Sequence, residues 1–440
     1  MFNPKSTLFI IFISIGFINK NFPIVKITFK IFLTILSFTS IVVSQKNQFL
    51  NEVGLPIITN YLPKQYSANV QNWAVIQDKR GVLYFGNVSG VLEYDGVNWR
   101  LIKIPNEVVR CLAIDDDGKI YVGGINQIGY LSPDSLGELN YVSLNKYISG
   151  EKIDFGDVWR IIINDDGFYF QTFSTLYLFE SNKNKQQSFI SRIIKNPSLK
   201  QWESRTRMNP IHSIGNRIFI HERNLGLQEL INGKLAMLPG GEEFAQDLIC
   251  IMLPFPSSKS KDKNPDERIL IGSLRRGMFL FDGVGFEKFN NEADKYLIEN
   301  RLYFRGALLG DGAYALGTQL GGIVVMDQNG KLKKIIDKNI GLNNNTIWDL
   351  FCDREGNLWA ASDNGISKIL YPSSLRVIDE NSGFEGSIQT IKYFDNKIYL
   401  TTSSGVYYLE DFSNNSNNKK PTKKKQTKKS LQNLGSTIRH

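Results

Sequence analysis

Three histidines, three cysteines and a few adjacent carboxylates are the residues of this 440-residue chain best equipped for chemistry. Their spacing argues against most of it. His212, His221 and His440 belong to no H-E-x-x-H arrangement and stand near no G-x-S-x-G elbow. His221 ends the strand-like run Ile218-Phe-Ile-His221, where a packed core imidazole is expected. Cys111, Cys250 and Cys352 cannot all pair and none has C-x-x-C spacing, so they are expected as small buried hydrophobes. Asp115-Asp-Asp117 and Asp165-Asp166 lie at turn positions, and a calcium loop would need more oxygens at longer fixed spacing. Carboxylates brought together from distant parts of the chain stay open as an acid/base pair, because one sequence does not show spatial pairing. No catalytic, metal-binding or cofactor-binding residue follows, no cofactor is expected, and the ligand-binding residues are unknown at this stage.

The elements that would position such side chains come from a repeat. Its clearest copy runs Thr346-Ile-Trp-Asp-Leu-Phe-Cys-Asp353, Arg-Glu-Gly356-Asn, Leu358-Trp-Ala-Ala-Ser362, Asp-Asn-Gly365-Ile-Ser-Lys-Ile-Leu370. The first copy, from Trp73 to Gly96, has the same grammar. Each run of four to six residues alternates in polarity and is rich in β-branched and aromatic residues, as a half-buried strand is. The Asp-x-x-Gly links, Asp78 to Gly81, Asp115 to Gly118 and Asp353 to Gly356, read as hairpin turns. Aligning Gly86, Gly123, Gln171, His221, Gly272, Gly317, Ala361 and Thr401 gives steps of 37, 48, 50, 51, 45, 44 and 40 residues. Units of that size close into rings of four-stranded sheets. The expectation is an all-β protein, a β-propeller of seven to eight four-stranded blades over residues 54–410, with eight repeats counted. The eighth unit lacks an outer strand, and Leu55-Pro-Ile-Ile-Thr-Asn-Tyr61 is expected to fill that slot; a seven-bladed ring with one unit left over is the alternative.

On this scaffold Trp73, Trp159 and Trp348 open first strands and Trp359 sits in a second strand. Most are expected to pack between blades, while some reach the mouth of a central channel, where an indole suits a sugar ring. Two segments read as recognition loops, one carrying Trp202, Glu203, Arg205 and Arg207, the other Ser257 to Asp266.

Charge separates the body from its ends. Residues 1–45 carry four lysines and no acid, and residues 411–440 carry a net +7, which leaves −2 of the total +9 for the body. The propeller is therefore near neutral, and nucleic acid is not expected to bind it. Residues 1–45 read as a signal peptide or an N-terminal membrane anchor, with Lys26 and Lys30 ahead of the apolar run Ile31–Val43. Residues 411–440 read as a disordered Lys/Asn-rich tail that a frameshift in A-rich DNA would also produce.

The combination Gly54-Leu-Pro-Ile-Ile-Thr-Asn-Tyr61, Gln71-Asn-Trp73, Asp78-Lys-Arg-Gly81, Tyr84-Phe-Gly86-Asn, Gly90-Val-Leu-Glu-Tyr-Asp-Gly96 and Gly356-Asn-Leu-Trp359 resembles the two-component regulator propeller family. The resemblance implies a non-catalytic periplasmic sensor region of a membrane-spanning signalling protein, with a small-molecule or oligosaccharide ligand. In that family an immunoglobulin-like domain, a membrane helix and an output module follow, and none is legible after Glu410. The expected partners are accordingly the ligand, a second copy in a homodimer, and the membrane through the N-terminal segment or a missing C-terminal helix. The alternatives are an exported propeller enzyme acting on polysaccharide, a hydrolase or lyase, and a truncated gene product without function.

Overall fold

A computed structural model describes residues 55–148, 154–180, 198–204, 206–255, 268–373, 377, 385–394, 397–408 and 432–434. The signal-like segment 1–45, Arg205, the Ser257–Asp266 loop and most of the lysine-rich tail lie outside them. The chain divides into two units, Pro56–Ser373 and the two flanking segments taken together.

Seven four-stranded antiparallel sheets fill Pro56–Ser373. Their first strands are Asn72–Gln77, Val109–Ile114, Arg160–Asn164, His212–Ile214, Ile249–Pro254, Leu302–Leu308 and Ile347–Cys352, and define blades 1 to 7. In blades 1 to 6 the four strands follow one another in chain order across the sheet. Blade 7 takes its outer strand from the start of the chain: Ile58–Tyr61 pairs antiparallel with Ile366–Ile369, from Ile58 opposite Ile369 to Tyr61 opposite Ile366. This corrects the expectation that Leu55–Tyr61 completes the eighth unit. Blade 7 supplies only three strands before Pro372, and a proline has no N–H to continue a ladder. The eighth sheet, in the other unit, consists of Ile388–Phe394, Lys397–Thr402, Gly405–Tyr408 and Gln432–Leu434, so its fourth strand comes from the tail sequence.

Blade 7 joins blade 1 through hydrogen bonds between first strands and their turns. The Val75 amide donates to Asp349 Oδ2 at 2.9 Å, and the Arg354 amide to Gln77 Oε1 at 3.0 Å. The ring thus closes on seven blades within this unit.

The core lies between neighbouring sheets. Ala74, Tyr84 and Val91 of blade 1 pack against Val109, Leu112 and Val122 of blade 2, and Trp359, Ala361 and Ile366 of blade 7 pack against Phe85 and Leu92 of blade 1. Sheets radiating from an axis crowd at their inner strands, which explains the repeated glycine. A Cβ on Gly86 would lie 2.9 Å from Val109 Cγ1, and one on Gly123 would lie 2.7 Å from both Cys111 Sγ and Val158 Cγ1. Where the aligned position carries a larger side chain, that group reaches across the gap instead. Gln171 Nε2 donates to the Asn209 carbonyl at 3.0 Å, and His221 Nε2 lies 2.9 Å from the Phe244 carbonyl oxygen.

The Asp-x-x-Gly turns form as expected. The amides of Gly81, Gly118 and Gly356 donate to the carbonyls of Asp78, Asp115 and Asp353 at 3.1, 2.9 and 2.9 Å. Each aspartate also accepts from an aromatic of its second strand: Tyr84 at 3.3 Å, Tyr121 at 3.0 Å and Trp359 Nε1 at 2.8 Å. The turn and the sheet are therefore locked by one carboxylate.

Candidate functional site

A slip in strand pairing builds the mouth of the ring. In blades 1, 2, 5 and 7 the register between first and second strands shifts by one residue, leaving Trp73, Arg110, Cys250 and Trp348 without a partner in the ladder. In blade 6 the shift spans Leu302 to Gly306 and takes in Tyr303 and Arg305. A bulge re-aims the side chain it carries. In blades 1, 2, 6 and 7 it brings Trp73, Arg110, Tyr303 and Trp348 together at the start of their first strands, while Cys250 of blade 5 stays buried.

The result is a ladder of aromatic rings and guanidinium groups. Trp348 stacks on Trp73 with centroids 4.3 Å apart, and Tyr303 meets Trp348 edge-on at 5.0 Å. The Arg110 guanidinium lies 4.3 Å from the Trp73 ring centroid and 5.2 Å from that of Trp159. Trp159 contacts Phe173 at 4.8 Å, and Arg207 sits 3.7 Å over Phe173. The Trp73 ring is covered on its faces by Trp348 and Arg110, so the expected open indole platform is replaced by a half-buried floor of alternating rings and cations. Each cation–π contact contributes about 0.5–2 kcal/mol, which favours a single arrangement.

Polar groups orient the floor. Trp73 Nε1 donates to Gln71 Oε1 at 3.0 Å, Trp348 Nε1 to Asp363 Oδ1 at 3.3 Å, and Arg110 Nε to Asp157 Oδ1 at 2.9 Å. Trp159 Nε1 is a buried donor with no partner among the described residues. An unmet buried donor costs about 1–3 kcal/mol.

Beneath the floor lies a charged layer. Arg305 Nε pairs with Asp349 Oδ1 at 3.1 Å, and Asp349 also accepts from the Val75 and Leu350 amides. Burial raises the Asp349 carboxyl above its ordinary range although Arg305 pulls the other way. Burial, and then the like charge of Arg305, lowers the Arg160 guanidinium to about 9. Burial pushes the Cys111 thiol up to about 12, and its Sγ donates to the Val158 carbonyl. Cys111 belongs to the core between blades 2 and 3. Cys250 is likewise buried, whereas Cys352 is only partly so, a departure from its expected burial.

The carboxylates singled out in the sequence do not converge. Asp115 and Asp165-Asp166 occupy turns at the opposite ends of the sheets, where Asp165 accepts from Asn216 and Asp166 from Tyr169. A groove of about 310 Å³ opens at those opposite ends between blades 1 and 2. Two of its three acids are matched, Asp78 to Arg80 at 2.8 Å and Glu93 to Arg100 at 2.5 Å, with Tyr84 bonded to both, and the third is Asp117. Among the described residues no group of three or more His, Cys, Asp or Glu is placed to hold a metal ion.

His221 is a packed imidazole, bonded to Asn209 and to the Phe244 carbonyl. Trp202 and Glu203, expected in a loop, belong to the outer strand Leu199–Glu203 of blade 3 because Trp202 pairs with Leu176. Arg207, from the same stretch, does reach the mouth. Arg110, Tyr303 and Phe173 were not singled out from the sequence. For Arg110 and Tyr303 the signal is position at a bulge in the first strand, whereas Phe173 lies in the loop after the second strand of blade 3.

Residues 341–364 match the two component regulator propeller family. The extracellular domain of the hybrid two-component system BT4673 of B. thetaiotaomicron matches with TM-score 0.54 and 19% identity over 82% of this chain and 46% of its own. That of BT3049 from the same organism matches with TM-score 0.58 and 17% identity over 81% and 48%. Streptogramin B lyase matches with TM-score 0.52 and 13% identity over 71% and 97%. A comparison with curated proteins finds no match. The chain spans about half the length of the two extracellular domains, and at these identities the likeness is one of fold. No helix among the described residues is long and apolar enough to cross a membrane.

Proposed function

We propose that this chain, which carries a two-component regulator propeller repeat and the β-propeller fold of extracellular sensor domains, is an exported, non-catalytic ligand-sensing propeller whose ligand docks on the aromatic–guanidinium mouth. One observation carries the reading. Five blades contribute bulged or strand-opening residues to a single half-buried floor that ends in an unmet donor, Trp159 Nε1. Mixed apolar floors with a few convergent polar groups are what small-ligand sites are made of. A saccharide, with apolar ring faces and many acceptors, suits both parts. Occupying the mouth would bridge blades 1, 2, 3, 6 and 7 and bias their packing, the kind of change a neighbouring membrane module can read.

The test is a titration of the chain's tryptophan fluorescence with neutral and acidic oligosaccharides. A saturable change that Trp73→Ala and Trp348→Ala each weaken by about tenfold or more supports the reading, on the scale of hot-spot aromatics. Saturable binding that both variants leave intact would place the ligand elsewhere.

A further inference from the structure

The end of the ring that carries the floor also carries four arginines without an ion-pair partner among the described residues. Second strands run antiparallel to first strands, so the loops after them lie at the same end as Trp73 and Trp348. Arg223 and Arg275 occupy those loops in blades 4 and 5, while Arg301 immediately precedes the first strand of blade 6 and Arg207 lies in the segment leading into that of blade 4. All four are exposed, and none has a carboxylate within ion-pair distance among the described residues. The Arg223 amide donates to the Arg207 carbonyl at 3.0 Å, so two of the four loops are joined directly.

Other exposed or half-exposed arginines are paired, including Arg276 in the same loop as Arg275, which holds Glu243 at 2.7 Å. Arg80 holds Asp78 at 2.8 Å, Arg217 holds Glu229 at 2.7 Å and Arg268 holds Glu287 at 2.9 Å. Several acids near the mouth are engaged, Asp157 by Arg110, Asp363 by Gln71 and Trp348, and Asp247 Oδ1 by the Leu248 and Arg275 amides, while Asp247 Oδ2 is buried without a partner among the described residues. Bulk basicity does not explain the pattern, since residues 46–410 carry a net charge of −2. Like charges gathered on one rim repel, and planar guanidinium forks match carboxylate and sulfate oxygens in pairs. Arg207 is held in place by Phe173, 3.7 Å beneath it.

We propose that the ligand of this mouth is an anionic saccharide, whose carboxylate or sulfate groups are taken by Arg207, Arg223, Arg275 and Arg301 while its body covers the tryptophan floor. The inference rests on the ligand-sensing reading and narrows it to a chemical class.

Calorimetric and fluorescence titration of the full chain at fixed ionic strength tests it with five probes: trigalacturonate, its methyl ester, a sulfated disaccharide, neutral maltotriose and inorganic sulfate. The expected result is binding of at least one acidic saccharide, about tenfold or more weaker for an uncharged counterpart, and about tenfold weakening for each of Arg207→Gln and Arg275→Gln, the loss expected per charged hydrogen bond. Carboxylate and sulfate sources are separated by which acidic probe binds. Equal or tighter binding of methyl ester or maltotriose would overturn the anionic class and leave the ligand-sensing reading standing. Sulfate alone matching the saccharides would overturn the saccharide. Failure of both acidic saccharides to bind at millimolar concentration would overturn the proposal, as would acidic binding unaffected by the two arginine variants.

Discussion

Replacing Tyr61 by alanine tests how the ring closes. Tyr61 ends the strand Ile58–Tyr61 on the outside of blade 7, and its ring stacks on Trp359 at 5.7 Å. It also reaches blade 1, meeting Trp99 edge-on at 5.4 Å and Tyr94 at 5.3 Å. Truncating a fully buried aromatic costs about 3–5 kcal/mol, and Tyr61 is partly exposed, so about 2 kcal/mol is expected. Each aromatic pair accounts for about 0.5–1.5 kcal/mol of that. Urea denaturation of Tyr61→Ala, Trp99→Leu and the double variant yields the coupling between the two rings, predicted at about 0.5–1.5 kcal/mol. Trp99 lies in blade 1, so the coupling exists only where blade 7 and blade 1 are neighbours. Additive losses, with no coupling, would refute closure on seven blades by this strand.

Three further predictions follow from the packing. Gly123→Ala places a Cβ 2.7 Å from Cys111 Sγ and Val158 Cγ1, and chemical denaturation should show a loss of about 1–3 kcal/mol, the cost of overpacking. Asp353→Ala removes the acceptor of the Asn357 amide and of Trp359 Nε1, both buried or half-buried, and should cost about 1–3 kcal/mol by the same assay, with Asp353→Asn recovering part of it. His212 is held neutral, its pKa pushed well below the ordinary histidine value by burial and then by Arg160 and Arg305. A depressed folded value means the stability is present above the unfolded pKa of about 6.5 and is lost as pH falls below it, by up to about 2 kcal/mol at pH 5. His212→Gln should flatten the pH dependence of the denaturation midpoint between pH 7.5 and 5; an unchanged slope would contradict that assignment.

The architecture was legible because its causes are local. Asp at the start of a turn, Gly three residues later and alternating β-branched runs each act over a few residues, and their repetition set the blade count to within one. Closure was not legible, since the outer slot of blade 7 is emptied by Pro372 and filled from more than three hundred residues away. The mouth was half legible. Trp73, Trp159 and Trp348 stood out by type and place, but a one-residue bulge leaves no trace in composition, so Arg110 and Tyr303 looked like ordinary strand residues. The arginines of the rim were hidden for another reason: what sets them apart is the lack of an ion-pair partner in space.

Hydrogen exchange of the full chain, with and without a saccharide that changes its tryptophan fluorescence, tests the central claim most directly. The account predicts slowed exchange confined to the strand starts and loops at the mouth: Gln71–Trp73, Asp157–Trp159, Phe173, Arg207 and Tyr303–Arg305. Protection confined instead to the groove around Asp78–Arg80 and Asp117–Gly118, at the opposite ends of blades 1 and 2, would contradict it.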